Sequence, residues 1–486
     1  MSDKIEKLKK FIKNHRKTVI IQGIGFVGTA MLAVLANAKD KNGQLIYNVI
    51  GIDLDDEKNY WKIDAINKGI SPIYSTDPKL SEFIKNGNMQ RNLMATSDVS
   101  AFSLADIVIV DINLDINKLK LGNAFENIFT FDSYLEAIKN IASKIKEETL
   151  VIIETTVPPG TTEKVVFPIF EQEFQKRGLD INKFYLSHSY ERVMPGRNYI
   201  NSITDFYRVY SGINKLSKIK TKNFLESFIN TKDFPLVELE STTASEMAKV
   251  LENSYRAMNI AFIQDWTEFA EKAGVNLFEV IDAIRMRPTH RNIMSPGFGV
   301  GGYCLTKDAL LADWAYNNLF EGDKRLYMSL KAIEINDLMP LHTLKLIKNY
   351  YPDLKNKKIT ILGVSYLNDV ADTRNTPTEI FYDHCIKEGA EIVLHDPIVK
   401  FWYEKKLNVE NNLDVMKKIK HEIVVFTVRH SQYLNLKADD IYDLFPGVQL
   451  IVDSNNILSN EIISSLQKHN INVIGVGKGH LKQKGK

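Results

Sequence analysis

The sequence predicts an α/β protein with two doubly wound parallel-sheet domains joined by a central, mainly helical stretch. Three observations carry this. Short apolar runs alternate with helical patterns from Thr18 to about Tyr210. The alternation gives way to long helical periodicity near Ser241, and it resumes at Lys358. The length, 486 residues, agrees with about three domains at roughly 150 residues each. The expected divisions are an N-terminal helix or tail over 1–16, an α/β domain over 17–240, a helical domain over 241–350 and a second α/β domain over 351–486.

Taken in order, residues 4–16 read as a short basic amphipathic helix or a frayed tail. Thr18–Gln22 is a continuous apolar run, as a buried parallel strand requires. Ala30, Met31, Val34 and Leu35 then mark one face of a helix. Further strands are expected at Val49–Asp53, Asp106–Val110, Leu150–Ile153, Phe184–Leu186 and Arg208–Tyr210. Residues 244–273 contain no Pro or Gly and carry apolar positions at helical spacing, so they form one long helix closed by Gly274. A second helical block covers roughly 305–349. The last domain has strands at Ile359–Leu362, Glu391–His395, Glu422–Thr427, Gln449–Asp453 and Asn472–Val476. The final ten residues, GKGHLKQKGK, read as a solvated tail.

Composition excludes several classes of function. Lys+Arg is 62 and Asp+Glu is 60, a formal charge of +2, which argues against a broad grip on nucleic acid or an anionic membrane. Hydrophobic residues at 44% and charged residues at 25% exclude a mainly disordered, collagenous or coiled-coil chain. Charged or amide residues interrupt every apolar stretch before it could span a bilayer, and the basic start has no apolar segment of a leader. A cytoplasmic protein is expected. With only Cys304 and Cys385, neither a disulfide framework nor a cysteine-based zinc cluster can be built, and no metal site is expected.

Gly23-Ile24-Gly25-Phe26-Val27-Gly28 follows the first strand directly and opens the first helix. In such a turn the first glycine permits the bend, the second lets backbone approach a pyrophosphate, and the third allows close helix–strand packing. A lone GxGxxG is also compatible with an ordinary glycine-rich turn. Here the strand–turn–helix context is met, and Asp53 ends the second strand, where an acid hydrogen-bonds a ribose 2′-hydroxyl. The polar stretch Lys39–Gln44 reads as a small insertion between them. An acid at Asp53 repels a 2′-phosphate, so NAD is favoured over NADP.

Pro296–Asp308 (PGFGVGGYCLTKD) crowds Gly297, Gly299, Gly301 and Gly302 just before Cys304. Glycines let backbone amides approach a ligand closely, and the loop delivers the thiol to the start of a helix expected from Thr306. A helix N-terminus lowers a thiol pKa; Lys307 adds positive charge and Asp308 can exchange a proton. Most free cysteines are small buried hydrophobes, and Cys385, on an apolar helix face, fits that description. Cys304 is set up as a covalent nucleophile. Hydride transfer alone needs no thiol, whereas further oxidation of an aldehyde through a thiohemiacetal and thioester does.

Several motifs in sequence order resemble the UDP-glucose/GDP-mannose dehydrogenase family of nucleotide-sugar 6-dehydrogenases. They are the GIGFVG turn, TTVPPG at 155–160, ERVMPG at 191–196, EMAKVLEN at 246–253, GVGGYCLTKD at 299–308 and DTRNTP at 372–377. The resemblance runs from Thr18 to about Gly477. It implies a C6 alcohol oxidised to a carboxylate by two NAD, on a sugar carried by a nucleoside diphosphate. It also implies an NAD-binding Rossmann domain, a central helical dimer domain and a C-terminal nucleotide-sugar domain, the layout read above.

Carried over position by position, the resemblance makes Cys304 the nucleophile. Lys249 and Asp308 would handle an ordered water and the charge on the C6 oxygen, and Asn253, one helical turn after Lys249, would help hold that oxygen. Glu191 would activate the hydrolytic water, with Thr156 positioning it. Gly23, Gly25, Phe26, Val27, Gly28 and Asp53 would hold NAD, with Lys58, Lys307 and Arg374 beside it. Arg192, Val193, Arg256, Arg291, Phe298, Gly299, Gly301 and Tyr366 would face the substrate, with Arg287 or Arg291 donated across a dimer.

The chain departs from the family at Asn113-Leu114-Asp115, Pro195, Tyr366-Leu367 and Asn455-Asn456. The ERVMPG form is similar to members acting on UDP-N-acetylhexosamines. Alternative readings are the same chemistry on UDP-glucose or GDP-mannose, a two-electron hydroxyacid-type dehydrogenase using Lys249, or a non-catalytic NAD- or nucleotide-sugar-binding protein.

Overall fold

A computed structural model describes residues 2–481 except Asn14, Pro195 and Arg197. The chain divides into two compact units. The first holds residues 1–116, 129–251 and 311–325; the second holds 117–128, 252–310 and 326–486.

The strands in chain order are β1 (Lys17–Gln22), β2 (Tyr47–Ile52), β3 (Leu93–Thr96), β4 (Ile107–Val110), β5 (Ile116–Lys120), β6 (Asn123–Phe129), β7 (Leu150–Ile153), β8 (Tyr185–His188), β9 (Val209–Gly212) and β10 (Val237–Glu238). Seven more follow: β11 (Lys358–Leu362), β12 (Glu391–His395), β13 (Phe401–Trp402), β14 (Leu407–Asn408), β15 (Ile423–Phe426), β16 (Leu450–Asp453) and β17 (Asn472–Gly475).

In the first unit eight strands form one sheet in the order β10-β9-β8-β7-β4-β1-β2-β3. β1 pairs in parallel with β2 on one side and β4 on the other, so strand order reverses there, the place where sheets of this kind bind ligands beyond their carboxyl ends. β8 and β9 run antiparallel. The helix Phe26–Ala36 is buried along nearly its whole length because the sheet and neighbouring helices cover it. That is why its sequence, FVGTAMLAVLA, is apolar all round.

In the second unit a five-stranded parallel sheet has the order β12-β11-β15-β16-β17. Cys385 is fully buried on the helix Pro377–Lys387 in the core against this sheet, and burial raises its thiol to about 12. It is a packing residue, as its apolar setting indicates.

The expected fold class is present. Some elements differ from expectation. The N-terminal helix is Ser2–Phe11, shorter than the basic stretch suggests. The block at 305–349 is two helices, Asp308–Asn318 and Tyr327–Tyr350, the second tolerating Pro340 inside it. The long helix is Thr242–Lys272, and Gly274 follows it at φ 71, the left-handed cap that glycine allows. The hairpin β5–β6 escapes sequence reading because its exposed faces carry Lys, Asn and Glu without clean alternation. Lys118 of this hairpin pairs with Asp337 at 2.6 Å.

The C-terminal stretch is not a solvated tail as far as it is described. Lys478 is buried, and its ammonium pairs with Asp453 at 2.7 Å and bonds the Leu458 carbonyl. Residues 482–486 lie outside the described residues.

Candidate active site

The glycine turn leaves β1 through Gly23 at φ 106, where an added Cβ would stand 2.1 Å from the Asp111 carbonyl oxygen. A Cβ at Gly28 would stand 1.9 Å from the Gly23 carbonyl oxygen. Both positions therefore demand glycine for the protein's own packing. Gly25 differs, since a Cβ there meets nothing within 4 Å. It sits as the N-cap of the helix Phe26–Ala36 and offers no side-chain cap of its own to this positive helix end. The Tyr199 hydroxyl donates to the Phe26 carbonyl, and Val27 packs on the core.

Asp53 closes the turn. Its carboxylate accepts from the Ile24 amide at 3.0 Å and the Leu54 amide at 2.8 Å, and Lys62 reaches it at 3.4 Å. Lys58, expected near the cofactor ribose, is exposed, and Lys62 is the lysine in contact with Asp53. An open Cα at Gly25, a helix N-terminus and an anchored acid fit a dinucleotide.

Beyond β7 and β8 the first unit carries a polar floor. Glu154 and Arg208, both buried, form an ion pair, and Arg208 also bonds the Ser189 hydroxyl. Burial raises Glu154, with Arg208 opposing that shift. Lys249 donates to the Glu191 carbonyl at 2.8 Å and pairs with its carboxylate at 3.3 Å. The Glu191 carboxylate also accepts from the Val193 amide. Arg192 bonds the Tyr190 hydroxyl and the Tyr207 carbonyl. Thr156 is partly exposed, while Thr155 ties β4 to β7 by accepting from the Ile112 amide and donating to the Val110 carbonyl.

Glu246 was missed in sequence reading. It is buried one turn before Lys249 and accepts from the amides of Gly160 and Thr162 at 2.6 and 2.8 Å. It thereby fixes the TTVPPG turn to the long helix. Burial pushes its carboxyl up to about 8, against the pull of those donors. The signal was its spacing: Glu246, Lys249 and Asn253 fall on one helix face.

In the second unit, Cys304 is partly exposed. The helix after it begins at Asp308, not Thr306, because 305–307 form a turn first. The Cys304 carbonyl accepts from the amides of Lys307 and Asp308 at 3.2 and 3.0 Å, so the thiol still stands at a helix entrance. Asn253 donates to the Asp308 carboxylate at 2.6 Å. Lys307 is buried, lies 3.7 Å from Asp308 and sits over the Tyr303 ring.

The glycines of this loop also serve the chain's own packing. A Cβ at Gly299 would lie 2.4 Å from Pro377, at Gly301 2.7 Å from Tyr366, and at Gly302 2.7 Å from the Tyr366 ring. They admit the chain's own Tyr366 and Pro377. Phe298 is buried against Phe381, so its side chain belongs to the core.

Arg374 grips Asp372 through two nitrogens at 3.0 and 2.8 Å. Burial, together with the charges of Asp372 and Cys304, raises the Tyr366 phenol to about 12, while Arg374 and Arg256 oppose that shift. Cys304, Tyr366, Arg374 and Arg256 therefore share one electrostatic neighbourhood. Arg287 and Arg291 are exposed. Of the altered positions, Leu114 is buried and Pro195 lies outside the described residues. Asn455 has a structural role: it accepts from the Phe298 amide and donates to the Thr427 carbonyl.

Comparison with known proteins gives the class. The UDP-glucose/GDP-mannose dehydrogenase family matches as its NAD-binding domain over residues 17–225, its central domain over 243–337 and its UDP-binding domain over 360–460. The UDP-N-acetyl-D-mannosamine dehydrogenase of Methanococcus aeolicus is 28% identical over 97% of this chain and 98% of its own. The enzyme of that name from Methanocaldococcus jannaschii is 28% identical over 95% of this chain and 97% of its own. The crystal structure of an NDP-N-acetyl-D-galactosaminuronic acid dehydrogenase from Methanosarcina mazei superposes with a TM-score of 0.77 at 26% identity, covering 98% of this chain and 99% of that one.

The chain belongs to the UDP-glucose/GDP-mannose dehydrogenase family. It is an NAD-dependent nucleotide-sugar dehydrogenase. Among the described residues no helix is long and apolar enough to cross a membrane.

Proposed function

We propose that this enzyme oxidises the C6 hydroxyl of a UDP-N-acetylhexosamine to a carboxylate in two successive oxidations, with Cys304 carrying the substrate between them. The observation that carries the reading is the partly exposed Cys304 thiol at a helix entrance, beside the Asn253–Asp308 pair. Relatives named for UDP-N-acetyl-D-mannosamine support the choice of sugar.

When bound at the Gly23–Gly28 turn and Asp53, NAD supplies the hydride acceptor of each oxidation. The chain's residues manage the protons and the carbon. Lys249 and Asp308, with an ordered water, take the C6 hydroxyl proton and balance charge on that oxygen, which Asn253 holds. The Cys304 sulfur bonds to the aldehyde carbon, and the carbonyl oxygen becomes the hydroxyl of a thiohemiacetal. Removal of a hydride and that hydroxyl proton leaves a thioester. Glu191, with Thr156 positioning the water, takes a proton from it; the water oxygen bonds to the carbonyl carbon, the C–S bond breaks and the thiol is restored.

The remaining contacts are assigned as follows. Phe26 and Val27 line the dinucleotide turn, and the family resemblance gives Lys307 and Arg374 a role toward the cofactor. Arg192, Val193, Arg256, Gly299, Gly301 and Tyr366 shape the sugar-nucleotide rim. A homodimer fits the long helix: Met247, Leu251, Tyr255, Phe262, Trp266 and Phe269 form an exposed apolar stripe along it. Arg291, or Arg287, would be donated across that contact. NAD and a UDP-sugar as co-substrates suit a cytoplasmic enzyme.

NADH formed per carboxylate, measured on UDP-ManNAc, UDP-GlcNAc, UDP-glucose and GDP-mannose, tests the reading. Two NADH with an N-acetylhexosamine, and no acid from Cys304→Ser, are expected. One NADH per turnover, or full acid yield from Cys304→Ser, would overturn it.

A further inference from the structure

The first unit contains an acid that the proposed mechanism does not use. Asp111 follows β4, beside β1 at the switch point of strand order, where such sheets take a dinucleotide. Its backbone is locked there: its amide donates to the Gln22 carbonyl at 2.9 Å, and its own carbonyl lies against Gly23. Its carboxylate lies beside Gly28, in the first turn of the helix Phe26–Ala36. The Oδ2 atom stands 3.2 Å from the place a Gly28 Cβ would take. A carboxylate of the protein therefore occupies part of the positive helix end to which a pyrophosphate is drawn.

The surrounding charges do not balance. Three carboxylates gather at this floor, Asp111, Glu154 and Glu191, from the segments after β4, β7 and β8. Two cations answer them: Arg208, paired with Glu154, and Lys249, paired with Glu191. His188 of this floor, with Tyr190 beside it, is buried and held neutral, its pKa lowered to about 3 by burial and by Arg208 and Lys249. The surplus negative charge falls on Asp111. Bound NAD would add two pyrophosphate charges at the same helix end.

We propose that Asp111 is a proton-linked selector of the dinucleotide state: NAD seats with the Asp111 carboxyl protonated, and ionisation of that carboxyl opposes its binding. Geometry and charge count make the same demand, because a neutral carboxyl can keep its place beside Gly28 while removing the repulsion. Burial and the neighbouring Glu154 and Glu191 raise this carboxyl well above the ordinary range, with the Gly28 amide and Arg208 opposing. In balance, NAD and one proton bind together whenever the free protein has Asp111 ionised. The proposal rests on NAD occupying the Gly23–Gly28 turn.

Titration calorimetry of NAD with the intact enzyme, from pH 6 to pH 9 and in two buffers of different ionisation enthalpy, tests it. Wild type should take up as much as one proton on binding, and its Kd should rise toward about tenfold per pH unit above the carboxyl's titration. Asp111→Asn should bind NAD with a Kd flat to within about twofold and without the uptake, because the amide cannot ionise. Asp111→Ser serves the same purpose if the Asn variant does not fold. A pH-independent wild-type Kd without proton uptake, or an unchanged slope in the folded variant, would overturn the role of Asp111. Gly25→Val separates the two readings. If it leaves NAD affinity unchanged, the placement of NAD fails; if it abolishes binding while Asp111→Asn keeps the wild-type slope, only the Asp111 proposal fails.

Discussion

The two α/β sheets solve the same turn in opposite ways. In each, the central strand ends in a glycine at positive φ: Gly23 at 106° after β1 and Gly363 at 114° after β11. In each, an aspartate just past the neighbouring strand accepts from the amide that follows that glycine: Asp53 from Ile24, Asp396 from Val364. There the likeness ends. Asp53 spends two backbone contacts and keeps an edge toward solvent, with Lys62 beside it. Asp396 is fully buried and accepts from Val364, Ser365, Ile398 and Val399, with His430 at 3.1 Å. The first aspartate is left available to a ligand; the second is consumed in holding its own loops. A strand–turn–helix topology thus does not by itself make a dinucleotide site, and the residual accessibility of the acid and of the second turn position decides it.

Exchanging these roles by mutation gives the largest effect. Asp396→Ala strands several buried amide donors and should cost the second unit about 4 kcal/mol in denaturant unfolding. NAD affinity should remain within about twofold, because a structural acid of the other sheet touches no dinucleotide. Asp53→Ala should do the reverse: about 1 kcal/mol in stability, but a rise of about 30-fold in NAD Kd from the lost ribose contact. Unfolding curves and calorimetric Kd for the two variants check this. If Asp396→Ala weakened NAD more than Asp53→Ala, the contrast would collapse.

Acid titration sharpens the same comparison. Burial works against ionisation of Asp396, yet His430 and the amides of Val399 and Val364 outweigh it and hold the carboxyl down to about 2. A depressed folded-state value means stability that is complete above the ordinary carboxylate range and lost as pH falls through about 2. The Asp396 share should amount to about 2 kcal/mol between pH 5 and pH 1.5. Glu246 in the first unit has the opposite sign: raised to about 8, it contributes a stability loss as pH climbs from about 4.5 to 8. The first unit should therefore weaken on the alkaline side and the second on the acid side. Local unfolding followed by hydrogen exchange at pH 3, 6 and 9 would show it, and identical profiles for both units would break the comparison.

How much of this was legible in the sequence follows the same division. The Gly23–Gly28 turn and Asp53 could be read because both are local: glycine spacing and the strand-ending acid sit on short segments whose geometry is nearly forced. Cys304 was legible by contrast with Cys385, since one stands in a glycine-rich loop and the other on an apolar helix face. The roles of Gly299, Gly301 and Gly302 were not, because their neighbour is Tyr366, distant in sequence, and a glycine's partner leaves no mark in its own segment. Phe298 was assigned to a ligand for the same reason, when its ring faces Phe381. Glu246 and Asp111 were passed over because their meaning lies in backbone supplied by other segments, Gly160 with Thr162 and Gly28 respectively. The hairpin β5–β6 failed on periodicity, its polar residues being tied instead to the helix Tyr327–Tyr350 through Lys118–Asp337.

The smallest expected effect on stability isolates the second turn position itself. Gly25 and Ser365 are equivalent, each two residues after its strand-ending partner. The Ser365 hydroxyl is enclosed, donating to the Leu367 carbonyl at 2.9 Å and lying 3.2 Å from His430. Gly25 has open space where a side chain would stand. Gly25→Ser therefore transplants the second turn's residue into the first without a clash. Since its backbone sits at φ −91, ψ −159, an ordinary residue adopts it, and thermal unfolding without cofactor should shift by less than about 0.5 kcal/mol. NAD Kd should nevertheless rise about tenfold, because the hydroxymethyl group stands where the pyrophosphate approaches the backbone. The reciprocal Ser365→Gly should gain no NAD binding and lose about 1 kcal/mol from the vacated hydrogen bonds. An unchanged Kd in Gly25→Ser would show that accessibility at this position does not distinguish the two turns, leaving the difference to Asp53 alone.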